Sequence, residues 1–334
     1  MKKPLPLGLA LLLLLPALAW ADPPRPPDPL RPADPQALLG QLATAAQQLS
    51  YSGIFVFQHE GGMEASRVVH TFERGQEKTR IDTLDGPPRE IIRLNDEMRC
   101  YFPDVHAIRL QRAESRHFFP ALIAPPFEAY SDNYDISVVG QDRVAGHDCH
   151  VIALRPRDPL RYGHEFCADA ATSLLLRAVT LGPHNEPIQM SVFTAVTIGG
   201  HPDPAQFRPA FPGTDNWRQD NVPSLGPEAD HSGWVVANAP PGFHKIVEVR
   251  RPMPGHGGAM THLVYSDGLS TVSVFIEPAE GEAPRPDRVE MMPNALSYYS
   301  ARRDDRQITA VGEVPLASIK QIGQSVINLR SSHP

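Results

Sequence analysis

Between Tyr51 and Leu110 the chain is cut repeatedly by tight-turn residues: Glu60-Gly61-Gly62, Arg74-Gly75, Asp85-Gly86-Pro87-Pro88, Asn95-Asp96 and Pro103-Asp104. The runs between these breaks carry Ile, Val, Phe and Tyr, the residues that suit a pleated, half-buried surface. Gly, Asn, Asp and Pro supply turn dihedrals at little cost. Spacers this short can only join antiparallel neighbours, because a parallel crossover needs a dozen or more residues. The stretch is therefore a large meander, and a sheet of that size curls or closes unless another layer covers it.

The N-terminus constrains the compartment. Met1-Lys2-Lys3 precedes an apolar run from Leu5 to Trp20, ending in Ala19-Trp20-Ala21. A basic start, a Leu-rich core and an A-x-A end predict a secretory signal peptide over residues 1–21. The run is short for a membrane span and Pro16 interrupts it. Cleavage removes Lys2 and Lys3, moving the net charge from −7 to −9. An acidic chain lacks the basic footprint of bulk nucleic-acid binding. The expected compartment is the periplasm. There, cysteine pairing is open to Cys100, Cys149 and Cys167. Cys149 and Cys167 flank Arg157-Asp158-Pro159 at similar distances, which reads as a hairpin carrying a Cys149–Cys167 disulfide and leaving Cys100 out. The alternative is three buried thiols.

Residues 22–36 hold seven prolines and predict an extended arm. Asp34 then caps a helix opened by Pro35, with Leu38, Leu42, Ala45 and Leu49 on one face. His117-Phe118-Phe119-Pro120-Ala121-Leu122-Ile123 reads as a broken helix or loop lying over the sheet. Further strands are expected at 134–139, 149–155, 162–168, 174–181 and 187–198, completing a large domain over 37–198. Residues 199–230 are poor in aliphatics and rich in Pro, Gly and Asp, and read as a linker. A small domain over 231–330 follows. Its strands fall at 234–237, 245–250, 260–265, 271–277, 297–300 and 307–311, with Asp267-Gly268 as a hairpin turn. Pro315 opens a last helix with Leu316, Ile319, Ile322 and Val326 on one face. The fold class is α+β, with a curved antiparallel sheet followed by a smaller sheet carrying one helix.

Residues able to do chemistry are sparse. His256-Gly257-Gly258 is the type of an oxyanion loop, but no G-x-S-x-G nucleophile elbow accompanies it. His147-Asp148-Cys149-His150 holds metal-ligand types, yet on a strand His147 and His150 point to opposite faces. There is no C-x-x-C, P-loop or dinucleotide fingerprint. The reading is a binding protein without a catalytic site, metal or cofactor.

YSGIFVFQ, MEASRVVH, DGPPREIIR, CYFPD and RDPLRYGHEF, followed by PPGF, HLVYSDGLSTVSVFIEP and VGEVPLASIKQIGQSV, resemble the two domains of the RseB/MucB family of sigma-E regulatory proteins, in order. The resemblance spans nearly all of residues 36–330. It implies a periplasmic negative regulator of envelope stress. Such a protein binds the periplasmic segment of an anti-sigma factor of the RseA/MucA kind and shields it from proteolysis. It also implies a large domain similar to lipoprotein carriers of the LolA/LolB type, an open half-barrel with a hydrophobic concave side, and a lipid or lipopolysaccharide-like ligand. The Pro-rich arm and the extra cysteines depart from the family pattern.

Phe55 and Phe57 share one face of their strand, and Ile54 and Val56 the other. Both faces are therefore covered, either by two ordinary packed layers or by a partial lid over a groove. The resemblance favours the groove, with Phe55, Phe57, Phe118, Phe119, Leu122 and Ile123 as its lining. A lipoprotein or lipid carrier is the alternative function, but a lone half-barrel would not need the small domain. Oligomeric state, including a homo-oligomer, stays open at this stage.

Overall fold

The computed structural model describes residues 35–112, 118–123, 125–221, 232–252, 259–279, 286–292 and 295–329. The signal sequence, most of the arm, His117 and His256-Gly257-Gly258 lie outside the described residues.

The first helix, α1 (Pro35–Gln48), leads into the meander: β1 (Tyr51–His59), β2 (Gly62–Glu73), β3 (Gln76–Thr83), β4 (Glu90–Leu94), β5 (Glu97–Phe102) and β6 (Ala107–Arg112). A short helix unforeseen in the sequence, α2 (Glu128–Asn133), precedes the second run. That run is β7 (Tyr134–Val144), β8 (His147–Pro156), β9 (Gly163–Asp169), β10 (Leu175–Leu181) and β11 (Pro187–Ile198). Two of the hairpin turns show why their residues are what they are. Arg74 and Gly75 (φ 53° and 76°) and Ala145 and Gly146 (φ 51° and 87°) both take positive φ at two successive positions. That is the turn whose twist matches flanking strands.

The two runs join edge to edge through β1 and β11, where Tyr51 faces Ile198. The result, with a last strand β12 (Arg218–Asn221), is one sheet of 12 strands, ordered β12-β6-β5-β4-β3-β2-β1-β11-β10-β9-β8-β7. A register shift interrupts the β1–β11 seam beside Ile54, and Gly53 sits there for a steric reason: a Cβ would lie 2.4 Å from the Ala195 carbonyl oxygen. At the other end of the sheet β7 rolls back to touch β11. α1 packs against this sheet. Its Leu38, Leu39, Leu42 and Ala43 share a core with Tyr51, Phe55, Val68 and Phe193.

The segment expected as a linker is packed along the part described. Strand β12 (Arg218–Asn221) pairs in parallel with β6, and Phe211 and Trp217 close over Tyr101, Ile92 and Ile108. Arg80 holds the same segment by donating to the carbonyls of Gln206 and Arg208. Composition misleads here because this stretch buries a few aromatics rather than aliphatics.

Cys149 and Cys167 form a disulfide with Cα atoms 5.5 Å apart. They are diagonal across β8 and β9, since Cys149 faces Asp169 and Val151 faces Cys167. The bridge spans 18 residues of sequence, worth about 3 kcal/mol by loop-closure entropy. Urea unfolding of Cys149→Ser is expected to show a loss of that size. Cys100→Ser is expected to cost less, because it breaks no cross-link; equal losses would contradict this.

The smaller sheet comprises β14 (His244–Pro252), β15 (Ala259–Ser266), β16 (Thr271–Pro278), β17 (Arg288–Met292), β18 (Leu296–Arg303) and β19 (Arg306–Gly312), ordered β14-β15-β16-β19-β18-β17. Helix α3 (Leu316–Gln324) packs on β18 and β19 through Ile319 and Ile322. A two-stranded ladder of β13 (Trp234–Val236) and β20 (Val326–Asn328) closes the domain. Val326 thus belongs to a strand, not to the helical stripe. Leu316 leaves the stripe as well: it is 40% exposed.

Candidate functional site

Five of the six predicted groove residues come together in the core against the large sheet. Phe55, Phe119 and Ile123 are buried in the large core, and Phe118 and Leu122 pack against it. Phe119 sits between Phe55 and Phe193, with ring centroids 5.3 and 5.0 Å away. Phe57 stands apart, half-buried, with His59 as its ring neighbour at 5.3 Å. The expected cover is therefore part of the core, because an aromatic ring gains most where it is fully enclosed. Beneath residues 118–121 only about 40 Å³ of open space remains, room for a few waters.

His70, Glu77, Thr79 and Arg93 put polar groups into the otherwise apolar lining of that small space. His70 is buried, stacked on Tyr51 at 4.7 Å, and its Nδ1 lies 2.7 Å from the Leu49 carbonyl. Its Nε2 is 3.5 Å from Glu77, and Glu77 in turn pairs with Arg93 at 3.0 Å. Burial pushes the Tyr51 hydroxyl far above its ordinary range, so it stays protonated. The Tyr51 hydroxyl donates to the Ala46 carbonyl, fixing α1 to the sheet.

The two sheets meet at a buried ion pair. Arg161, before β9, donates to Asp267 at 3.0 Å, and both side chains are fully enclosed. Arg161 also reaches Asp158 at 3.1 Å and the Pro241 carbonyl, and lies over the rings of Tyr134 and Phe243. Asp267 and Gly268 form the β15–β16 turn. Gly268, at φ 96°, could carry no Cβ without meeting the Tyr130 hydroxyl at 2.7 Å. Leu269 of the same turn packs into the large core, and the Ser318 hydroxyl of α3 donates to the Leu160 carbonyl. Burial raises the Asp267 carboxyl, opposed by hydrogen bonds from the Ser270 and Leu269 amides and by the Arg161 charge.

His164 lies near this junction, 6.0 Å from Tyr134 and 5.9 Å from Phe166. Burial lowers its imidazole to about 4. From pH 6.5 downward the unfolded chain takes up a proton that the native chain refuses until about pH 4. Native stability therefore falls as pH falls through that window. The penalty is about 2 kcal/mol at pH 5. Denaturant midpoints at pH 7.5 and pH 5 should separate less in His164→Phe than in the parent; an unchanged separation would contradict the assignment. Asp267, with its raised carboxyl, acts with the opposite sign and is common to both proteins.

A cleft of about 880 Å³ opens between β9–β11 and the small domain. Val179, Leu181, Ile188 and Met190 line the large-domain side, and Met291, Ala295 and Leu316 the other. Tyr162 and Gln189 add polar groups, and Glu60, Glu165, Glu186 and Arg177 also line it. Its volume falls in the range of ligand-binding sites. Neither Met291 nor Leu316 is enclosed by its own domain. The sequence reading missed this cleft, because it is made by residues more than a hundred positions apart.

Residues 34–211 match the family described as MucB/RseB N-terminal domain, and residues 228–327 match the MucB/RseB C-terminal domain. The chain belongs to the MucB/RseB family. Among its relatives is the sigma factor AlgU regulatory protein MucB of Pseudomonas aeruginosa, 30% identical over 88% of this chain and 91% of that one. The sigma-E factor regulatory protein RseB of Salmonella typhimurium is likewise 30% identical, covering 88% and 91%. Among solved structures, the Pseudomonas aeruginosa MucA/MucB complex matches with a TM-score of 0.71 at 27% identity, over 88% of this chain and 99% of that chain. MucB in complex with the periplasmic part of MucA matches at 0.69 and 26% identity, over 88% and 99%. As in those MucB/RseB chains, the likeness runs through both domains.

Metal ligation finds no support in this MucB/RseB chain's candidate cluster. Cys149 is in the disulfide, and the His147 Nδ1 lies 3.3 Å from the Asp169 carboxylate. No group of three or more His, Cys, Asp or Glu among the described residues is arranged to hold an ion.

Proposed function

We propose that this chain is a periplasmic, non-catalytic regulator of a sigma-E type envelope stress response. It binds the periplasmic segment of an anti-sigma factor of the RseA/MucA kind and keeps that segment from proteolysis. The observation that carries this reading is family membership through both domains, together with the fold likeness to MucB in complexes with MucA. The cleft contributed by both domains supports it further, because an extended segment held there is sterically out of a protease's reach. The buried Arg161–Asp267 pair supports a fixed cradle rather than two domains that close freely on a peptide.

The curl of the large sheet, with β7 against β11, supports an open half-barrel whose inside takes an acyl chain of a lipid or lipopolysaccharide-like ligand. That ligand enters by displacing Phe118 and Phe119, since little open space lies beneath them. Each methylene removed from water contributes about 0.8 kcal/mol, enough to offset such a displacement with a chain of ordinary length. Lipid and segment then oppose each other through two arrangements of the cover, and the effect is mutual. The test is calorimetric titration of the mature chain with the anti-sigma segment at rising lipid, below its aggregation threshold. Segment affinity is expected to fall with lipid, and lipid affinity to fall by the same factor with segment. Unchanged segment affinity at saturating lipid would remove the lipid switch and leave the regulator reading standing.

A further inference from the structure

This inference rests on the regulator reading and concerns which surface takes the segment and what chemistry it selects. We propose that the cleft between β9–β11 and the small domain holds an extended apolar segment flanked by lysine or arginine, and turns away anionic lipid. The cleft is apolar across its width: Val179, Leu181, Ile188 and Met190 face Met291 and Leu316. Met291 and Leu316 are 44% and 40% exposed, an unfavourable place for large apolar side chains unless something covers them. Methionine on both walls adapts to side chains of differing shape.

Charge decides between occupants. Glu60, Glu165 and Glu186 line the cleft, against Arg177 and the His59 imidazole. Arg177 is already engaged, 2.8 Å from Asp142 and 3.6 Å from Glu165. Among the described residues neither Glu60 nor Glu186 has an ion-pair partner. Glu186 accepts a hydrogen bond from the His184 amide at 2.8 Å, which fixes it within its turn. Like charges brought together suppress wrong partners, and opposite charges speed right ones. A lipid phosphate would meet these carboxylates; a cationic flank would neutralise them.

The experiment uses the full mature chain and three fluorescent probes. These are the periplasmic segment of the anti-sigma factor, a synthetic Leu-rich peptide with lysines at both ends, and the same peptide with glutamates there. The lysine-flanked probe is expected to bind and the glutamate-flanked one to bind far more weakly. Glu60→Gln with Glu165→Gln and Glu186→Gln should weaken the segment and the lysine probe about tenfold and flatten their salt dependence. Met291→Lys should weaken both, and Glu97→Gln, an exposed acid on β5, should change nothing. Equal binding of both synthetic probes, or unchanged affinity and salt dependence in the triple variant and in Met291→Lys, would overturn the proposal. If the anti-sigma segment fails to bind while the lysine probe binds through the three glutamates, the cleft chemistry stands and the partner reading falls. If the segment binds the triple variant and Met291→Lys undiminished, the partner reading stands and the cleft assignment falls.

Discussion

Asp267→Ala is expected to lower unfolding stability by about 3–5 kcal/mol, because it strands Arg161 in the interior without its fully enclosed partner. The guanidinium is fully enclosed, and it keeps Asp158, at 25% side-chain exposure, and the Pro241 carbonyl as its remaining polar partners among the described residues. The loss also strips a turn: the Asp267 carboxylate accepts from the Leu269 and Ser270 amides at 3.1 and 2.8 Å. Leu269 then loses its fixed entry into the large core, so the domains should part before either unfolds. Urea unfolding reads the energy, and small-angle scattering under native conditions reads the separation. Arg161→Met combined with Asp267→Leu should recover part of the loss, since apolar groups of similar volume replace a buried pair at little net cost. By contrast Glu97→Gln, which breaks the exposed pair with Arg99, should change stability by about 0.5 kcal/mol or less. A loss for Asp267→Ala as small as that would show that the junction is not held by this pair.

Phe119→Ala carries the second large effect, a loss of about 3–5 kcal/mol, the range for deleting an enclosed aromatic ring. Its ring is 5% exposed and bridges Phe55 and Phe193. Phe118→Ala should cost less, because Phe118 is only half-buried. The cavity left by Phe119→Ala is lined by apolar groups, Phe55 and Phe193 among them. A single-chain detergent below its aggregation threshold should therefore raise the melting temperature of the variant more than that of the parent. A Phe119→Ala protein as stable as the parent would show that residues 118–123 are a loose cover after all.

Much of the framework was legible. The turn residues marked the meander from Tyr51 to Leu110, since Gly, Asn and Asp announce positive φ directly. The spacing of Cys149 and Cys167 about Arg157-Asp158-Pro159 marked their hairpin. What escaped is what sequence-local patterns do not encode. The packing of Phe211 and Trp217 on Ile92, Tyr101 and Ile108 depends on a partner surface far away in the chain. The α2 helix is a single turn and a half, too short for a periodic signal. Phe119 was recognised as a covering residue, but its enclosure by Phe55 and Phe193 depends on how β1 and β11 meet. The Arg161–Asp267 pair and the cleft join positions on different domains, and no local spacing distinguishes a buried aspartate in an Asp-Gly turn from an exposed one.

On the proposed function, the chain covers an anti-sigma segment without cutting it. The direct measurement is the cleavage rate of that segment by the periplasmic protease that degrades it, taken at rising concentrations of the mature chain. The rate should fall in step with the fraction of segment bound, and the segment should stay intact when this chain is the only protein added. A cleavage rate indifferent to saturating chain, or cleavage by the chain alone, would contradict the claim.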